Sequence, residues 1–148
     1  VQGKTVGGGV GLIAACDYVL ATENAAIKLS EFTIGIGPFV IEPAVTRKIG
    51  VSGISELTLD ATNWKNAYWA KEKGLYAKVF ETINELDKEV EILSDKLASY
   101  NPIALTEMKK ALWKGTENWT DLLAERAAIS GELVLSEFTK KALEKFKK

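Results

Sequence analysis

The 148-residue chain has no histidine, one cysteine, one methionine and three prolines. Without histidine, no Ser-His-Asp or Cys-His arrangement can form within it, and the commonest metal ligand is missing. Proton transfer therefore falls to carboxylates, lysines or tyrosines. The lone Cys16 excludes an internal disulfide and fits a reducing compartment. With no evident cation beside it, Cys16 reads as a small packed residue. Neither sign of charge dominates: 19 basic against 20 acidic residues leave a net charge of −1, which gives no electrostatic reason to expect a nucleic-acid partner. Charged residues interrupt every apolar run before it reaches the ~20 residues of a membrane span. Val1–Thr5 shows neither a basic leader nor an apolar segment behind it. Together these absences predict a cytoplasmic chain with no membrane contact.

What is present is unevenly spread. Nine of the twelve glycines lie between Gly3 and Gly53, whereas residues 81–148 are charged, leucine-rich and nearly glycine-free. In the first part the pattern predicts a strand end at Val1–Gln2, a helix over 9–15, and β-structure around 18–21 and 26–29. A further helix is expected over 41–49, stopping at Gly50. In the second part Ile83, Leu86, Val90, Leu93 and Leu97 recur at spacings of three and four, an apolar stripe on one amphipathic helix. Asn101–Pro102 breaks it, with Pro102 suited to the first turn of a helix carrying Leu105, Met108, Ala111 and Leu112. Two more helices are expected over 121–135 and 137–147. Trp64, Trp69, Trp113 and Trp119 read as core or subunit-contact residues, and Asp17 as a group that caps or anchors a turn.

The glycine triplet Gly7-Gly8-Gly9 fits poorly inside a helix or strand but suits a backbone that must approach a ligand. Leu12–Ala15 follow as an apolar helix, so the glycines stand at a helix N-terminus, with free N–H donors and the positive end of the helix dipole. Such donors can hold a developing oxyanion. Glu31 lies between apolar Ile27–Leu29 and Phe32–Ile36. Partial desolvation there raises a carboxyl pKa towards the range useful for general acid–base work. Two nucleotide patterns come near without matching. Gly3-Lys4-Thr5 ends like a phosphate loop but is followed by glycines rather than helix formers, and the dinucleotide fingerprint from Gly7 meets Leu12 where its last glycine belongs.

The run G-x-x-x-G-G-G-x-x-L-x-x-x-C-D from Gly3 to Asp17, followed by S-E-x-x-x-G-I at Ser30–Ile36, resembles the crotonase superfamily of enoyl-CoA hydratases and isomerases. Ala67-x-x-Ala70-x-x-x-Gly74-Leu75 and a short strand after it extend the likeness, as does the helical tail. The resemblance implies an α/β fold: the C-terminal part of a crotonase-like ββα superhelix over 1–80, and a helical trimerisation region over 81–148 that forms a homotrimer or a dimer of trimers. It implies an acyl-CoA thioester substrate, no separate cofactor and no metal. Glu31 would carry the proton, and the Gly8 N–H would hold the thioester oxygen. Gly7, Pro38 and Phe39 would line the acyl pocket. It also implies strands and helices ahead of Val1 that supply the second oxyanion donor. Lys140, Lys141, Lys145, Lys147 and Lys148 suggest a solvated face, although Lys145 or Phe146 would lie where the family holds the CoA nucleotide.

One position departs from the pattern. Hydratases of the family typically carry a second glutamate two positions after the glycine triplet, where this chain has Gly11. The segment Gly37-Pro38-Phe39-Val40-Ile41-Glu42-Pro43 is similar to that of branched glutaconyl-CoA hydratases and points to water addition across a 2-enoyl-CoA. A single glutamate also suits isomerisation of a 3-enoyl-CoA to a 2-enoyl-CoA. A structural piece of such an enzyme, inactive by itself, is the non-catalytic alternative.

Overall fold

A computed structural model describes residues 1–145. Its β-structure is a set of short, mostly parallel strands with helical crossovers between them. Strand β1 (Lys4–Val6) pairs in parallel with β3 (Ala26–Lys28), and β3 pairs antiparallel with β4 (Lys65–Asn66). A second pair joins β2 (Leu20–Thr22) in parallel to β5 (Lys78–Phe80). The first strand lies two residues beyond the expected position at Val1–Gln2. Val1 instead accepts the Thr22 N–H at 2.9 Å, so the chain leaves the β2 edge at its start and joins β3 only after Gly3.

Helix α1 (Gly8–Ala14) crosses from β1 to β2, and Val10, Ile13 and Ala14 turn its apolar side inwards. They meet Ile27 and Leu29 from the strand side and Val45 and Leu57 from α2 (Glu42–Leu59). Full burial of one such aliphatic side chain contributes about 1.5–3 kcal/mol, so this cluster is the principal stabilising element of the first eighty residues. Gly50 interrupts α2 without ending it. Its φ of 70° and ψ of 170° break the helical geometry, as the sequence suggests, but the chain then resumes helical turns through Leu59. Burial of Gly53, Ile54 and Leu57 against the core outweighs the local break. After β4, helix α3 (Ala67–Glu72) is capped by the Asn66 side chain, which accepts the Trp69 N–H.

The remaining residues form α4 (Ile83–Ser99), α5 (Pro102–Leu112), α6 (Trp119–Val134) and α7 (Glu137–Glu144). Thr82 and Glu85 close a reciprocal capping box at the start of α4. Asn101 caps α5 directly before Pro102 at its first turn. Of the α4 stripe only Leu86 is fully buried, against β2 and β5. Val90 and Leu97 remain exposed, as do Ile103, Met108 and Leu112 on α5. The expected end of the last helix at 147 lies outside the described residues, as do Phe146, Lys147 and Lys148.

Two further expectations change. Cys16 is exposed rather than packed, because α1 ends before it and the chain turns outwards. Of the two roles expected for the tryptophans, full burial in the core is not met: Trp64 is exposed and the other three are half-buried, with Trp69 packed against the core cluster. Polar or charged partners keep them at the surface. Lys4 and Lys28 flank the Trp64 ring, and the Trp69 indole donates to Glu56. Asp17 does anchor its turn, and over a long range. It accepts the Trp113 indole N–H at 2.6 Å and pairs with Lys109, while its carbonyl accepts the Lys48 ammonium.

Candidate active site

Gly7 turns the chain from β1 into α1 with φ 53° and ψ −123°, a conformation that favours glycine. Its N–H still bonds to the Lys28 carbonyl and so extends the β1–β3 ladder by one rung. Gly8 is the first helical residue and is exposed. At this position a backbone N–H has no intrahelical acceptor, so it is available to a ligand.

Just beyond β3 the chain enters a short 3₁₀ turn, Glu31–Ile34, closed by Gly35 at φ 85°. Glu31 is therefore held three residues beyond β3, next to the β1–α1 turn. A Cβ built on Gly7 would lie 2.9 Å from Glu31 Oε1. The other carboxylate oxygen, Oε2, is buried and has no hydrogen-bond partner among the described residues. Desolvation pushes the Glu31 carboxyl above its ordinary pKa, partly offset by a bond from its own backbone N–H. An unsatisfied buried carboxylate oxygen is costly to leave in place, and such groups concentrate where a substrate completes them.

A cavity of about 260 Å³ opens beside this carboxylate. Gly8, Glu31, Gly37, Pro38, Phe39, Val40, Ile41 and Ser130 line it. It thus brings together four of the five residues singled out in the sequence: Glu31, Gly8, Pro38 and Phe39. Gly7 is not among the lining residues and touches the site through Glu31. Two further residues carry no sequence signal of their own. Ile41 occupies the space beside Gly11, where an added Cβ would collide with Ile41 Cγ2 and lie 2.6 Å from its Cβ. Where the resemblance would place a second carboxylate, an aliphatic side chain fills the space. Ser130 arrives from α6, 99 positions after Glu31, in a helix where Ala124, Ala127, Ala128 and Gly131 are also small, so no local pattern singles it out. The turn that holds Glu31 is backed by α7. A Cβ on Gly35 would collide with the Phe138 ring and come within 2.7 Å of Thr139 Oγ1, and Thr139 is fully buried there.

The enoyl-CoA hydratase/isomerase family matches residues 1–147. The chain belongs to this family, within the crotonase superfamily. It is 31% identical to the short-chain-enoyl-CoA hydratase of Clostridium acetobutylicum over 148 residues, 99% of this chain and 56% of that protein. Over 118 residues it is 34% identical to the 2,3-dehydroadipyl-CoA hydratase of Escherichia coli, covering 79% of this chain and 46% of the relative. Over 121 residues it is 31% identical to a peroxisomal Δ(3,5)-Δ(2,4)-dienoyl-CoA isomerase of Arabidopsis thaliana, 79% of this chain and 42% of that protein. An enoyl-CoA hydratase structure from Mycobacterium avium superposes with a TM-score of 0.89 at 24% identity, over 99% of this chain and 57% of its own, which shows the shared fold. The chain thus spans about half the length of the curated relatives it matches. As a member of this family it presents the crotonase-type α/β architecture with helices towards the end. Among the described residues no helix is long and apolar enough to cross a membrane.

Proposed function

We propose that this site adds water across the double bond of a 2-enoyl-CoA thioester through an enolate. The observation that carries the reading is the Glu31 carboxylate, desolvated and with a free oxygen, in one cavity with the exposed start of α1 at Gly8. Glu31 takes a proton from water as its oxygen bonds to C3. The C2=C3 π electrons move onto the thioester oxygen, where the Gly8 N–H donates to the developing charge. Glu31 then returns the proton to C2, and the enolate collapses to the 3-hydroxyacyl product. Pro38 and Phe39 line the acyl side of the cavity. No cofactor beyond the CoA of the substrate is called for. One such oxyanion donor typically lowers a barrier by roughly 3–4 kcal/mol.

The hydratase names of the Clostridium and Escherichia coli relatives support water addition, as does the resemblance of the Pro38–Phe39 segment to glutaconyl-CoA hydratases, and a branched or carboxylated acyl chain is the preferred substrate. A second reading, 3-enoyl to 2-enoyl isomerisation by Glu31 alone, is favoured by one observation: Ile41 fills the space where a second acid would stand. We assign residues 81–148 to a homotrimer or dimer-of-trimers contact, supported by the exposed apolar side chains Ile103, Met108 and Leu112 on α5. Incubating the full-length protein with 2-enoyl-CoA in H₂¹⁸O tests the choice of reaction. Heavy oxygen at C3 supports hydration, whereas migration of a 3-enoyl double bond with no oxygen uptake overturns it.

A further inference from the structure

We propose that Ser130 is the second acceptor that orients the attacking water, taking over the work for which position 11 has no side chain. The inference rests on the hydration reading above. A water that attacks C3 gives one proton to Glu31, and its other proton needs an acceptor. Without one the molecule rotates freely, and its lone pair faces C3 only part of the time. No group at position 11 can serve, since Gly11 is buried beneath Ile41. Among the described residues eight line the cavity, and of these only Glu31 and Ser130 carry a polar side chain.

The chemistry of Ser130 suits this task. Its hydroxyl donates to the Arg126 carbonyl at 3.2 Å, one helical turn back. With its proton engaged there, Oγ keeps its lone pairs free, and a hydroxyl on a residue lining the cavity is suited to act as an acceptor. It stands within the sixteen-residue α6 rather than on a loop, and sites on helices are held more precisely than sites on loops. A hydroxyl does not titrate in the working range, so it holds the non-transferred proton without competing for the one that Glu31 moves. The balance is unchanged by its presence: the C3–O and C2–H bonds form, the C2=C3 π bond and one water O–H bond break, and Ser130 keeps its own proton.

Two assays on the full-length protein separate this role from the others. Hydration of 2-enoyl-CoA needs an oriented water. Exchange of the α-proton of a saturated acyl-CoA in D₂O needs Glu31 and the oxyanion donor but no attacking water. Ser130→Ala, which substitutes the strongest helix former, should lower the hydration kcat at least tenfold and leave α-exchange within twofold of the parent. Ser130→Thr, which keeps the hydroxyl, should restore most of the loss. Hydration by Ser130→Ala within twofold of the parent overturns the proposal, as does an equal loss of both activities. A parent protein that exchanges but does not hydrate overturns the role of Ser130 and leaves proton transfer by Glu31 standing. A parent that does neither removes the hydration reading itself and this inference with it.

Discussion

Glu31 Oε1 sits so close to Gly7 that a Cβ added to the glycine would lie 2.9 Å from it. The proposed proton carrier is therefore seated against bare backbone, one residue before the exposed helix start at Gly8. Gly7→Ala meets two obstacles, a positive φ and the carboxylate itself. The backbone strain costs about 1–3 kcal/mol, readable as a drop in melting temperature. The carboxylate, at the end of a flexible side chain, is displaced, so the catalytic rate should fall by more than the stability loss accounts for. A variant with parental activity and lowered stability would mean that the contact does not position Glu31.

Position 11 gives a prediction about packing alone. Gly11→Ala forces a methyl into Ile41, and overpacking of this kind costs about 1–3 kcal/mol. Trimming Ile41 to alanine in the same chain should recover part of that stability, because the two sites share one volume. Thermal unfolding of both single variants and the double variant tests the coupling. Additive losses would show that the two side chains do not compete for space.

The raised Glu31 carboxyl has a pH signature. Its pKa in the folded chain lies above the ordinary 4.5, so the native state holds this proton more tightly than the unfolded chain. Stability therefore falls as pH rises from about the ordinary value through the raised one, and the cost persists above it. Glu31→Gln should be more stable than the parent at neutral pH while losing activity. Hydration should rise with pH through the same raised value, since Glu31 must be ionised to accept a proton from water. A Glu31→Gln variant that is less stable than the parent at neutral pH would mean that the ionised carboxylate is satisfied in the fold.

How far the sequence reveals this site depends on chain distance. The glycine triplet, Glu31 and the Pro38–Phe39 segment lie close together in the chain, and each carries a local chemical reason, so the strand–turn–helix frame and the proposed proton carrier are legible together. Gly11 reads only as an absence, because Ile41 enters its space through tertiary packing. Ser130 lies in a helix with no motif, and only the folding of α6 back over the cavity brings it near Glu31. Cys16 escapes a sequence reading for a related reason: composition reports hydrophobicity, but an exposed turn decides where its side chain rests. The Gly50 break is legible, while the resumption of helix behind it depends on burial of Ile54 and Leu57.

The clasp between Asp17 and Trp113 joins the end of α5 to the turn after α1 across 96 positions. Arg47 and Lys109 both stand over the Trp113 ring, at 4.4 and 4.7 Å from its centre. The hydrogen bonds from Lys109 and then Trp113 hold the Asp17 carboxyl below its usual value. Its stabilising effect is therefore fully present above an unfolded value near 3.8 and is lost as pH falls through the depressed one. Trp113→Phe keeps an aromatic ring and removes the N–H, at a cost of about 1 kcal/mol. Hydrogen exchange of α5 amides should quicken in this variant while that of β1 and β3 does not change. Equal exchange in α5 would mean that the clasp does not hold the helix.

The central claim is that Glu31 moves the proton. Glu31→Gln in the full-length protein, assayed with 2-enoyl-CoA for both kcat and substrate Kd, addresses it most directly. Proton transfer by a positioned residue contributes about 10²–10⁴-fold, so kcat should fall at least a hundredfold while Kd stays within a few-fold of the parent. A variant that still hydrates within a few-fold of the parental rate would contradict the account and leave Glu31 a structural residue of the β3 turn.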